Sequence, residues 1–195
     1  AYIFLRAAYT QAHRRLTQAI AEARARGLLG EHILGSQFSL TLHLHESAGR
    51  YICGEETALL TALEGKRANP RAKPPFPPVI GLWGKPTVAN NVETICNVPH
   101  IINNGAAWFR GLSRVADGGT KIYGVSGKVR RPGAWELPLG ATIRELIDES
   151  AGGMRDGLAV RAILPGGAST DLLTADHLDV VMDFNGVAAA GSRLG

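Results

Sequence analysis

Cysteine is scarce in this chain, with only Cys53 and Cys96 among 195 residues. Two thiols so far apart exclude a disulfide framework and lack the close spacing of a zinc or iron-sulfur ligand set. They are expected to serve as packing residues. Aromatic residues make up only 6% of the chain and do not interleave with the basic ones, which argues against a stacking platform for single-stranded nucleic acid. No run approaches the roughly 20 apolar residues of a membrane-spanning helix, and no charged segment followed by an apolar one opens the chain as a secretion signal would. The expectation is a cytoplasmic protein with no membrane insertion and no nucleic-acid partner. Repeats and low-complexity tracts are absent. What remains is an ordinary globular composition, 45% hydrophobic and 19% charged with a mean hydropathy of +0.01, enough to bury a core and long enough for two units.

The net charge of +4 is modest, but Lys66, Arg67, Arg71 and Lys73 fall in one stretch without an acid. Such a cluster can face phosphate or simply line a solvated loop. Tyr2 to Leu5 reads as a strand, and Thr10 to Arg26, rich in Ala, Arg, Gln and Leu, as a helix stopped by Gly27. Phe38, Leu40, Leu42 and Leu44 alternate with Ser39, Thr41, His43 and His45, the period of a half-buried strand whose histidines share one face. Strand, helix and strand predict a βαβ unit and a parallel sheet.

Ligands of open α/β sheets gather where strands end and helices begin, and here that turn is Glu46 to Thr57. Gly49 and Gly54 allow a flat ligand to approach the backbone, and Glu55 and Glu56 open the helical run Thr57 to Leu63. Two residues in succession on a helix diverge by about 100°, so the two carboxylates are expected to point apart. From Gly65 to Gly84, Pro70, Pro74, Pro75, Pro77 and Pro78 exclude helix and central strand and hold Lys73 and Phe76 on a stiff loop. Asn90 with Glu93 resembles a capping box, leaving a helix start that suits an anion, and Pro99 is expected to begin a second helical piece ending at Asn103-Asn104-Gly105. After Ala116 the texture changes. Thr120 to Val129 and Ala134 to Leu137 read as a hairpin, Thr142 and Glu145 cap a helix over 143–150, and Val160 to Leu164 reads as a further strand, together a small β-grasp arrangement.

Arg50-Tyr51-Ile52-Cys53-Gly54-Glu55-Glu56-Thr57, Lys73-Pro74-Pro75-Phe76-Pro77 and Asn90-Asn91-Val92-Glu93-Thr94 resemble the family of FMN-carrying, NADH-oxidising subunits of bacterial respiratory complex I. The likeness continues through Trp135-Glu136-Leu137-Pro138, Ala151 to Gly157 and Ala190 to Gly195, and so covers essentially the whole chain. It implies an α/β fold: the C-terminal part of a Rossmann-like flavin-binding domain over 1–115, a ubiquitin-like, ligand-binding β-grasp domain over 116–190, and at 191–195 the start of an iron-sulfur helical domain. It further implies that Tyr51, Gly54, Glu55 and Glu56 stand beside the flavin ring. Ala89, Asn90, Asn91 and Thr94 would line its phosphate end, and Lys73 and Phe76 would reach NADH, so that NAD(H) passes hydride to FMN. The family's glycine-rich loop and its [4Fe-4S] ligands have no counterpart here, which suggests an internal fragment that is inactive alone. The implied partners are other peripheral-arm subunits, chiefly the small [2Fe-2S] flavoprotein, on the cytoplasmic face of the inner membrane. The flavin subunit of an NAD-linked hydrogenase or formate dehydrogenase carries the same motifs, and a noncatalytic nucleotide-binding or assembly module is a further alternative.

Overall fold

The computed structural model describes all 195 residues, which form two compact units, Ala1–Asn91 and Val92–Gly195, in a mixed α/β fold. In the first unit, β1 (Tyr2–Arg6) and β2 (His43–Ser47) pair in parallel with Tyr2 opposite His43 and Arg6 opposite Ser47. Helix α1 (Thr10–Ala25) makes the crossover, as the βαβ reading requires. Gly27, at φ 67°, follows its end. Arg24 ties its last turn to the sheet side by donating to the Leu42 carbonyl at 3.0 Å.

The ordered part of the second strand is shorter than the alternation from Phe38 predicts. Residues 30–40 close on themselves: Gly30 and Leu40 exchange backbone hydrogen bonds of 2.9 and 2.8 Å, and Ile33 donates to the Phe38 carbonyl. With those groups satisfied locally, only the five residues 43–47 pair with the five of β1. The two histidines do share a face, and each finds a ring partner across the strands. His43 stacks on Tyr2 at 5.0 Å between centroids, and His45 stacks on Phe4 at 5.3 Å.

Beyond β2, a single 3₁₀ turn at Tyr51–Gly54 leads into α2 (Glu56–Leu63), which buries Thr57, Ala58 and Leu60. The proline-rich stretch that follows carries no strand and only a tight turn at Leu82–Gly84, because proline supplies no ladder donor and cannot continue a helix. Cys53 is buried and Cys96 exposed, so packing accounts for the first cysteine only.

The second unit begins with α3 (Val92–Asn104) and α4 (Ala106–Gly111). Pro99 does not start a new piece. It lies inside one continuous α3, where its ring removes a single amide donor and the helix runs on to Asn104. An antiparallel hairpin follows, β3 (Thr120–Val125) and β4 (Gly133–Pro138), with Tyr123 opposite Trp135. The composition break at Ala116 falls inside this unit, since the chain before it folds back on the hairpin. The Phe109 carbonyl accepts from Gly119 at 2.8 Å, and the Leu139 carbonyl accepts from the Arg114 amide and the Ser113 hydroxyl.

Thr142 caps α5 (Ile143–Glu145) through the reciprocal box read from sequence, and the chain continues as a π-helical turn, Leu146–Ser150. The expected strand over 160–164 is reduced to one bridge, Ile163 to Leu173. The core gathers Tyr123, Val129, Ile143, Leu146 and Ile147 with Leu173, Met182 and Val187, the last from α6 (Phe184–Ala189). Burial pushes the Tyr123 phenol up in pKa, and its hydroxyl donates to the Met182 carbonyl at 2.9 Å. The segment after 170, which carries no clear periodicity, thus closes the core. Leu173 is 1% exposed. Leu173→Ala should therefore cost about 2–5 kcal/mol by cavity formation. Urea unfolding with a midpoint unchanged from the parent would show that this segment does not complete the core.

Candidate functional site

The turn between β2 and α2 is built around Glu55. Its backbone is extended, at φ −81° and ψ 127°, so it is the N-cap of α2 and not its first helical residue. The carboxylate accepts from the Ala58 amide at 2.9 Å and from the Thr57 hydroxyl at 2.5 Å. Lys73 completes the arrangement: its ammonium lies 3.0 Å from Glu55 and also pairs with Glu56. The two carboxylates do not diverge as expected but converge on one cation. The 100° rule applies between helical positions, and Glu55 stands outside the helix.

Partial burial pushes the Glu55 carboxyl up, yet the bonds from Thr57, Ala58 and Lys73 outweigh it and hold the group at about 2. Lys73 is raised above its ordinary value by Glu56 and then Glu55. Glu55 and Lys73 therefore both stay charged across the neutral range.

How Lys73 comes to lie here is decided by Arg71. Its backbone N–H donates to the buried Thr57 hydroxyl oxygen at 2.8 Å, Nε donates to the Thr61 hydroxyl at 3.0 Å, and one terminal nitrogen donates to the Gly81 carbonyl at 3.1 Å. Its other terminal nitrogen lies 2.8 Å from Glu64. Glu64, with a side chain only 8% exposed, also pairs with Lys66 at 3.1 Å and accepts from the Trp83 amide at 2.9 Å. Arg71 first, then the Trp83 N–H and Lys66, depress its pKa to about 2. Arg71 is thus bound into the fold, and of the basic stretch it is the member least able to meet an external phosphate. Thr57, Thr61 and Glu64 escape a sequence reading because the Arg71 groups that Thr57 and Thr61 accept lie 14 and 10 residues away around the proline loop, and the Trp83 amide lies 19 residues beyond Glu64.

Tyr51 is 99% exposed, and a Cβ on Gly54 would meet nothing within 4 Å, so the backbone between them is open to a flat group. Phe76 is also exposed, on a tight turn whose carbonyl accepts from the Val79 and Ile80 amides. The structure brings Glu55, Glu56 and Lys73 into contact, with Tyr51 and Gly54 on the adjoining turn. Ala89, Asn90 and Asn91 close the first unit, and Thr94 lies in the first turn of α3 in the second. No group of three or more His, Cys, Asp or Glu side chains could hold a metal ion, and no helix is long and apolar enough to cross a membrane.

A parallel βαβ unit delivers an open glycine turn, two carboxylates and a lysine to one surface of an α/β domain, at the strand-to-helix turn where ligands of such sheets gather. Residues 1–100 match the family model of the Nuo51 FMN-binding domain, and residues 122–170 match that of the SLBB domain. The chain belongs to the Nuo51 FMN-binding domain family. It is 58% identical over 194 residues to the F subunit of the NADH-quinone oxidoreductase of Salmonella typhimurium and, equally, to that of Escherichia coli. With the F subunit of the Streptomyces coelicolor oxidoreductase it shares 53% over 195 residues. All of this chain aligns in each case, but it spans only 44, 44 and 43% of those relatives' lengths. Among solved structures, an NAD+-reducing [NiFe]-hydrogenase in its H2-reduced state superposes with a TM-score of 0.75 at 36% identity, over 95% of this chain and 31% of the other.

Glu64 offers a test of the network. Its folded pKa lies below the ordinary value of 4.5, so its contribution is fully present above about pH 4.5 and is lost as pH falls toward about 2. Glu64→Gln should lower stability at pH 7 by roughly 1.5–3 kcal/mol, and the gap to the parent should close across that acid window. A gap independent of pH would mean that the carboxylate charge does not hold the loop.

Proposed function

We propose that this chain is part of a flavoprotein subunit that oxidises NADH by hydride transfer to FMN and passes electrons through iron-sulfur clusters toward quinone. The observation that carries the reading is the convergence of Glu55, Glu56 and Lys73 beside the open Tyr51–Gly54 turn, in a chain whose first 100 residues match an FMN-binding domain family. The residues present fit such a cofactor. The Gly54 face is unobstructed, so a ring can lie against the backbone where any Cβ would stand in its way.

Tyr51, Gly54, Glu55 and Glu56 would flank the ring, and Ala89, Asn90, Asn91 and Thr94 would hold the phosphate end. Lys73 and Phe76 would take NADH, one as a cation for its phosphates and one as a surface for its base. When bound, FMN supplies the capacity to accept two electrons as hydride and release them singly. The protein's part is orientation and charge. Glu55 and Glu56 keep negative potential beside the ring, and Lys73, shared between them, limits that potential and can turn toward an anionic substrate.

The functional division we propose places the FMN domain over 1–115, a β-grasp ligand domain over 116–190 and the start of an iron-sulfur helical domain at 191–195. The [4Fe-4S] ligands belong to the remainder of the subunit. Its partners would be other peripheral-arm subunits of the respiratory complex, chiefly the small [2Fe-2S] flavoprotein, on the cytoplasmic face of the membrane. The hydrogenase superposition favours a second reading, the diaphorase subunit of an NAD-linked hydrogenase, with the same site and different partners.

The two proposed ends of the site can be tested separately in the full-length protein. Asn91→Asp adds a negative charge where a phosphate would sit, and FMN retention should fall about tenfold for each 1.4 kcal/mol of repulsion. Unchanged flavin content would place the phosphate elsewhere. Glu55→Gln removes the charged helix cap as well as a charge beside the ring, whereas Glu56→Gln removes only the charge. The first should melt earlier and the second should not, while both shift the flavin potential upward and alter NADH affinity. Variants that match the parent in potential and affinity would reduce the pair to a structural cap.

A further inference from the structure

On the Glu64 side of the loop network, the turn over residues 81–84 and the end of α2 flank an open cleft of about 520 Å³, bordered by Thr61, Glu64, Lys66, Arg71, Gly81 and Trp83. None of the residues proposed for FMN or NADH borders it. Its volume lies within the range of small-molecule sites, about 300–1,000 Å³.

Trp83 forms one wall. Its backbone is left-handed, at φ 49° and ψ 35°, a conformation that costs a bulky residue roughly 1 kcal/mol or more and persists only where its surroundings enforce it. Glu64 enforces it by accepting the Trp83 amide, and Glu64 is itself fixed by Arg71 and Lys66. The indole packs edge-on against Tyr2, with centroids 5.8 Å apart and planes at 69°, and still remains 57% exposed. Strain and three polar bonds thus maintain a large aromatic surface at the mouth of a cleft instead of burying it.

The opposite requirement, an anion, is met by the rest of the rim. Lys66 sits at the cleft with a side chain that is mostly exposed. Asn69 and Pro70 line both this cleft and a neighbouring hollow of about 260 Å³, which is bordered by Arg50 and Arg67. Neither of these arginines makes a side-chain hydrogen bond or ion pair within the chain. Across both spaces stand four cations, Arg50, Lys66, Arg67 and Arg71, with Glu64 as the one carboxylate among the lining residues.

We propose that this cleft and the neighbouring hollow form a second nucleotide site, which takes a nucleoside monophosphate with its base on the Trp83 indole and its phosphate toward Lys66, Arg67 and Arg50. The chemistry on each side fits that class. Every base has a face for an indole, and a phosphate dianion suits two guanidinium groups without internal partners beside an exposed ammonium that is paired only with Glu64. Inorganic phosphate alone would forgo the indole, and an uncharged nucleoside would forgo the cations. The site uses residues distinct from those assigned to FMN and NADH and does not depend on that assignment.

The test is titration of the full-length protein with AMP, adenosine and inorganic phosphate in parallel, followed by calorimetry and by indole fluorescence. AMP should bind saturably and more tightly than either fragment, with an affinity that falls as salt rises. Trp83→Leu should weaken AMP at least about fivefold, the lower bound expected for loss of one base–aromatic stack, while Trp83→Phe retains binding. Lys66→Gln with Arg67→Gln should weaken AMP and flatten the salt dependence, with adenosine unaffected. This pair keeps the test open should Trp83→Leu perturb folding, which far-ultraviolet circular dichroism would reveal. Phe76→Ala should leave AMP binding unchanged. The proposal fails if AMP does not saturate, if phosphate binds as well as AMP, if folded Trp83→Leu or the Lys66/Arg67 double variant binds like the parent, or if Phe76→Ala abolishes the interaction.

Discussion

The first unit depends on the engagement of Arg71 by α2 and the turn beyond it. A proline-rich loop has few amide donors and cannot hold its place through a ladder, so side chains must fasten it. Arg71 does so with its backbone N–H on Thr57, its guanidinium on Thr61 and the Gly81 carbonyl, and its charge on Glu64. Planar and permanently charged, the guanidinium can meet several acceptors at once, and a lysine in its place could not repeat that geometry. Because the groups it binds are largely enclosed, removal of the arginine would leave a poorly solvated carboxylate and several unmatched acceptors.

Two surfaces follow from that one fastening. Two residues beyond Arg71 the loop delivers Lys73 to the carboxylates of Glu55 and Glu56. On the Glu64 side the same carboxylate that holds Arg71 also holds the Trp83 amide. The Thr57 hydroxyl connects them, since it accepts from the Arg71 backbone and donates to Glu55. The two surfaces thus share a short chain of hydrogen bonds through Thr57.

The second unit is organised on another principle. Its hairpin has only two strands, and the remaining cross-chain pairing is limited to single bridges, so apolar burial supplies the cohesion. Leu173, Met182 and Val187 reach the hairpin from the end of the chain, and the Tyr123 hydroxyl joins the two by its bond to Met182.

Much of this is legible in residue order, because it depends on near neighbours. The crossover of β1, α1 and β2, the cap of α5 by Thr142 and Glu145, the hairpin and the proline loop each rest on local periodicity, a capping residue or a missing donor. The cofactor family is recognisable from contiguous motifs for the same reason, and residue order alone places Glu55, Glu56 and Lys73 among the candidates. Only tertiary structure decides that both carboxylates share one cation, that Arg71 fastens the proline loop, and that Pro99 lies within a continuous helix. It also decides that Trp83 is presented at a cleft and that the segment after residue 170 completes a core. Each of these depends on groups far apart along the chain, brought together by burial and by the need to satisfy enclosed polar atoms, and neither constraint has a period that can be read from sequence.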